Sequence, residues 1–217
     1  YYTRGLAISQ KLASADPTNA QAQLDLMVSF QSIGSVYQGE KQYAQAIESY
    51  GLGMKILQSL KEQNRLPPVN EKWIAVVEQS IQQCRHAATA LGDWTMLLEQ
   101  PADLLPMLLD MRGTQFVKDG RAGEAVQAVA KLRELGTATA DQLYNAACVY
   151  SLCAAAIKPE KDELTAEQSA QRKKHIADAL ETLREAIKAG WKDFAHIQKD
   201  PDLTPLRELP EFRALIP

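Results

Sequence analysis

The sequence predicts an all-α chain of stacked helical hairpins, closed by short C-terminal helices. Three observations predict it. Nearly every long segment spaces its apolar residues at the helical period, and the Val/Ile/Thr alternation with paired turn signals that marks a sheet is absent. Phe30-x-x-Ile33-Gly34-x-x-Tyr37, followed by Ala46-x-x-x-Tyr50, alternates large and small residues. Gly34 and Ala46 let two helices approach closely, and Phe30, Tyr37 and Tyr50 fill the space around that contact. The pattern also recurs. Tyr2-x-x-Gly5-x-x-Ile8-x-x-x-Leu12 returns as Tyr50-x-x-Gly53-x-x-Ile56-x-x-x-Leu60, an offset of 48 residues (from 2 to 50). Gly34, Tyr37, Ala46 and Tyr50 map onto Gly113, Phe116, Ala125 and Val129 at one offset of 79.

Breakers divide the chain. Residues 1–17 read as the second helix of a hairpin without its first. Asp16-Pro17-Thr18-Asn19 is a stop followed by a start, with Asn19 as the cap. Residues 18–63 form the first whole hairpin, with Gly39 near its turn. Leu66-Pro67-Pro68-Val69-Asn70 is a rigid connector, and Asn70 is placed to cap a helix from Glu71 to about Ala90. That extra helix, within 70–100, steps Ile74, Val77, Ile81, Cys84, Ala88 and Leu91 by threes and fours, giving one buried stripe with Trp73 beside it. Leu91-Gly92-Asp93 ends it.

Residues 101–136 form a second hairpin divided at Gly120. Arg112 stands there where an apolar residue is expected, and its stem is predicted to pack while its guanidinium reaches water. Residues 139–190 form a third, divergent hairpin. Tyr144-x-x-Ala147-Cys148 opens it, a polar insertion around Lys158–Gln171 interrupts it, and Ala179-x-x-x-Leu183-x-x-Ala186 completes it. In 191–217, Asp200-Pro201 and Thr204-Pro205 each signal the start of a short helix, two or three in all, since proline is tolerated in a first turn. Leu203, Leu206, Phe212 and Leu215 would cover the open apolar end of the stack.

The spacing resembles the tetratricopeptide (TPR) repeat, whose minimal unit is about 34 residues. The 48-residue offset exceeds that by about 14, or about two turns per helix, which lengthens both helices without rotating their apolar faces. The Leu6-Ala7-Ile8…Leu12-Ala13…Ala15-Asp16-Pro17-Thr18-Asn19 segment, the Leu143–Tyr150 helix and the Asp200-Pro201-Asp202-Leu203…Pro210-Glu211-Phe212 end together resemble the TPR region of bacterial proteins that join a serine/threonine protein kinase to TPR repeats. The resemblance implies a right-handed superhelical solenoid that binds protein partners as part of a larger signalling protein. No strand lysine of V-A-I-K type, no H-R-D and no D-F-G occur here, so any kinase domain would lie before Tyr1.

Composition bounds the function. The chain has 217 residues, 46% apolar and 24% charged, and a net charge of −3, so nothing global draws it to nucleic acid or a membrane surface. No run approaches the roughly 18 apolar residues of a spanning helix. There is no signal peptide and no initiating Met, and Tyr1 opens inside a helical pattern, so the chain reads as a fragment whose targeting signal would lie upstream. Cys84, Cys148 and Cys153 are an odd number on apolar faces, which suits a reducing, cytoplasmic setting and free buried thiols.

Chemical motifs are scarce. Gly51-Leu52-Gly53 lacks a preceding strand and reads as mid-helix packing rather than a phosphate loop. His86, His175 and His196 share no ligand spacing with Cys or carboxylates, so neither metal nor cofactor is expected. Gly34-Ser35 lies within a helix, without a nucleophile elbow. Asp162/Glu163 and Glu208/Glu211 read as solvated faces, Asp200/Asp202 as helix capping, and Arg172-Lys173-Lys174 as an exposed helix face.

The leading expectation is a non-catalytic interaction module. First helices of TPR hairpins line a concave groove, here Gln31, Ser35, Gln38, Asp110, Thr114, Lys118 and Asn145. Only Lys118 and Asn145 resemble a carboxylate clamp, so a neutral groove for an extended or helical peptide fits better; plain solvent exposure explains the same positions as well. Self-association through Leu6, Ile8 and Leu12 is an alternative expectation. A small-ligand sensor or cryptic enzyme is another, and would need a deep polar pocket near Trp73, Trp94 and Trp191.

Overall fold

The computed structural model describes residues 2–159 and 163–216; of the expectations above, the start at Tyr1 and the Asp162 carboxylate lie outside them. The regular structure of the described residues is all helical, without a strand. They divide into two compact units, Tyr1–Thr89 and Ala90–Pro217. The division falls inside the segment 70–100.

In the first unit, α1 (Tyr2–Ala15) packs on α2 (Ala20–Gly39), which pairs with α3 (Tyr43–Glu62). Asn19 caps α2 as expected, its side chain accepting from the Ala22 N–H at 3.0 Å. The large–small spacing explains the α2/α3 contact. A Cβ on Gly34 would stand 2.7 Å from Cδ1 and Cε1 of Tyr50, so only glycine lets the ring lie there. Ala46, Leu57 and Leu60 are buried with Leu24 and Met27. Gly39 is the last residue of α2. The left-handed turn position falls instead to Lys41, with φ 60°. Asn70 belongs to a one-turn 3₁₀ helix, Pro68–Asn70, and α4 (Lys72–Leu91) starts two residues later. Val77 and Cys84 of α4 are fully buried, and Trp73, Ile74 and Ile81 pack around them.

The second unit begins with the last residues of α4 and the short α5 (Trp94–Leu98), which the apolar spacing did not announce. Asp93 makes this helix, its carboxylate accepting from Thr95 and Met96 N–H groups at 2.9 and 3.1 Å. Hairpin α6 (Leu105–Lys118) and α7 (Ala122–Glu134) turns at Gly120, φ 74°. It repeats the first hairpin's close approach. A Cβ on Gly113 would come within 2.5 Å of Val129 Cγ1. The third hairpin is α8 (Ala140–Ala156) and α9 (Ala166–Lys188), each opened by a capping box, Thr139/Gln142 and Thr165/Gln168. α8 is apolar around most of its circumference because α6, α7, α9 and the C-terminal segment all pack on it.

The tail folds as α10 (Phe194–Lys199), a 3₁₀ helix (Pro201–Leu206) and α11 (Pro210–Arg213). Leu203, Leu206 and Phe212 are buried and Leu215 packs beside them, as expected of a cap.

One expectation is corrected. Arg112 does not reach water; it is 4% exposed. Its Nη1 donates to the carbonyls of Ala90 and Gly92 at 2.8 and 2.9 Å. These lie at the C-terminus of α4, where carbonyls lack helical partners and the dipole favours a cation. The guanidinium also lies over the rings of Phe116 and Trp94, 4.5 and 5.3 Å from their centroids. Hydrogen bonds from Nη1 and aromatic faces thus replace part of the lost hydration, while Nε is buried without a hydrogen-bond partner.

Candidate functional site

The seven groove residues fall in both units. Ser35 and Gln31 line a shallow, open depression on α2 with Ser32 and Val36. Gln38 is held inward, its Oε1 accepting from the Tyr50 hydroxyl at 2.9 Å. It steadies the packed ring.

The other four converge in the second unit. Asp110, Thr114 and Lys118 follow at four-residue spacing on α6, hence on one face. Thr114, Lys118 and Asn145 line a cleft of about 210 Å³ between α6, α8 and the C-terminal segment. Val117, Val149 and Leu152 give it an apolar surface. Asp110 stands behind Asn145 and accepts from its Nδ2 at 3.2 Å. Its other oxygen is buried without a partner. Burial, resisted by the Asn145 hydrogen bond and reinforced by the nearby Asp141 charge, pushes the Asp110 carboxyl up to about 6.

The opposite wall was not foreseen as a site. It comprises Tyr144, Cys148, His196, Asp200 and Asp202. Asp200 organises it. One carboxylate oxygen accepts from the Asp202 N–H at 2.9 Å, which is the capping role expected of it. The other accepts from the Tyr144 hydroxyl at 2.5 Å and lies 3.2 Å from His196 Nε2. Tyr144 stacks on Trp191 with centroids 4.1 Å apart and rings parallel to within 1°. Arg207 donates to the Asp200 carbonyl at 2.8 Å. Residues 144 and 200 meet across 56 positions of sequence, so no local spacing could have announced the pair.

Burial, with the Asp200 charge, pushes the Cys148 thiol and the Tyr144 phenol well above their usual ranges, so both stay protonated at neutral pH. Burial also raises Asp202, opposed by Lys118 across the cleft. Cys84 and Cys153 are free and buried, as expected. No group of three or more His, Cys, Asp or Glu placed to hold a metal ion occurs among the described residues. The cleft presents hydrogen-bond donors and acceptors beside apolar side chains. Of the tryptophans considered for a pocket, Trp73 packs in the first core, Trp94 lies against Arg112 and Trp191 supports Tyr144.

No family model matches the chain. A 113-residue stretch is 30% identical to a chloroplastic protein of Arabidopsis thaliana, covering 49% of this chain and 27% of that protein. The matched stretch thus spans about a quarter of that relative's length. No solved structure matches. Among the described residues no helix is long and apolar enough to cross a membrane.

Proposed function

We propose that the chain is a non-catalytic protein-interaction module of TPR-like hairpins, and that the cleft in its second unit seats a peptide segment of a partner. The observation that carries this reading is the preset polar lining. Asn145 is held by Asp110, and Tyr144 and Asp200 hold one another, before any ligand arrives. A site already ordered has little entropy to lose on association. The apolar side chains of Val117, Val149 and Leu152 offer burial to a small apolar residue of the peptide, and Asn145, Thr114 and Lys118 offer hydrogen bonds to its backbone.

The repeated glycine contact supports the repeat reading, because Gly34–Tyr50 and Gly113–Val129 stand at the same offset in sequence and make the same kind of approach. The wider context, a binding arm of a larger signalling protein such as a bacterial serine/threonine kinase, rests on the sequence resemblance. Peptides selected from a random phage-displayed library against the full chain, then titrated calorimetrically, test the cleft. Asn145→Ala and Lys118→Glu should each weaken the selected peptides about tenfold, the loss of roughly 1.4 kcal/mol. Unchanged affinity in both variants would refute the assignment.

A further inference from the structure

We propose that the face of α1 formed by Gly5, Ile8 and Leu12 is a docking site for an amphipathic helix of the α2 kind. The argument is internal to the first unit. By the 48-residue offset, Gly5, Ile8 and Leu12 correspond to Gly53, Ile56 and Leu60 of α3. On α3 that face is covered by α2. A Cβ on Gly53 would meet Met27 Cγ and O at 3.6 Å and Phe30 Cβ at 3.8 Å. Leu60 is 3% exposed there, and Ile56 packs against the core. On α1 the same face is bare. Nothing lies within 4 Å of a Cβ on Gly5, and Ile8 and Leu12 are 62% and 55% exposed.

The neighbouring face shows the correspondence at two of three positions, the third pairing buried Ala13 with exposed Lys61. Leu6, Ser9 and Ala13 map onto Met54, Leu57 and Lys61. Ser9 hydrogen-bonds Ser29 of α2 at 2.9 Å, and Ala13 is buried. On α3, Met54 borders Ile74 and Ile81 of α4. Each helix therefore turns one face to the helix that follows it. α3 also turns a second face to the helix before it, and on α1 that second face is the one left open.

The occupant's chemistry follows from what α2 presents to Gly53: Met27 and Phe30 one turn apart over a glycine, with Gly34 a turn further on. A mid-helix glycine costs about 0.5–1 kcal/mol relative to alanine, and on α1 only a closely approaching helix would use the space it leaves. Arg4 and Lys11 border the bare face and α1 carries no carboxylate, so acidic residues suit the partner's edge.

The test uses the full chain and a fluorescein-labelled synthetic peptide of residues 18–41, read by fluorescence anisotropy. Saturable binding is expected. Gly5→Leu and Leu12→Glu should each weaken it at least about tenfold. Because Gly5 meets open space, Gly5→Leu should leave the melting temperature unchanged or raised, which separates lost docking from lost folding. Absence of saturable binding up to about 1 mM peptide, the upper end of weak association, would overturn the proposal. So would binding that both substitutions leave intact, since the peptide would then be replacing α2 against α3.

Discussion

Arg112 and Asp110 are charged residues whose burial, full in one and partial in the other, has a measurable consequence. Arg112 closes the end of α4 through two backbone carbonyls and two aromatic faces. Replacing it with methionine keeps the volume and strands the carbonyls of Ala90 and Gly92. The expected loss is about 2–4 kcal/mol, because a buried acceptor left without a donor costs about 1–3 kcal/mol. Urea denaturation would show it as a lower midpoint, and Arg112→Lys should fall between, lacking the planar stack. Asp110 acts in the other direction. An unfolded aspartate titrates near about 3.9, whereas this one is pushed up to about 6 in the fold. Between those values the folded chain binds more protons than the unfolded one, so this group's contribution to stability falls as pH rises from about 4 to 6 and stays low above. The penalty is about 3 kcal/mol in order of magnitude. In Asp110→Asn that segment of the stability–pH curve should flatten; a slope identical to the parent chain's would contradict the assignment. The sequence placed Arg112 at an apolar position but not its partners, which lie about 20 residues away around a turn.

At the scale of elements, the hairpins depend on helices that nearly touch. Gly113→Ala would put a methyl where Val129 Cγ1 now lies, 2.5 Å away. Overpacking of this kind costs about 1–3 kcal/mol, after which alanine's better helix propensity returns up to about 1. Val129→Ala makes room, so the double variant should be more stable than the two separate losses predict, with a coupling of about 1 kcal/mol. Strict additivity would mean that the two helices do not meet at this point. This layer was the most legible from sequence: helical period, the caps at Asn19 and Asp200, and the glycine spacing all concern neighbours within one or two turns. What stayed unread was local and small. Gly39 lies near its turn as expected, while the left-handed position within that turn is Lys41. The short helix α5 has too few residues to show a period, and only the Asp93 cap marks it.

For the whole molecule, each unit carries a face that sequence read only in part. On the second unit, α6 and α8 contributed legible groove positions because Thr114, Lys118 and Asn145 follow from helix phase. The wall opposite them did not, since Tyr144, His196 and Asp200 are brought together by the folding back of the tail. That wall is structural as well as lining. Tyr144→Phe removes a hydrogen bond to a carboxylate and should cost about 1.5–3 kcal/mol, with Trp191 fluorescence reporting the loosened stack. The central claim is that the cleft binds a peptide without chemistry. Two-dimensional ¹H–¹⁵N spectra of the full chain, titrated with a peptide selected against it, test this most directly. Shifts concentrated on Thr114, Asn145, Leu152 and Asp202 are the predicted result; shifts confined to other surfaces, or none at saturating peptide, would contradict it.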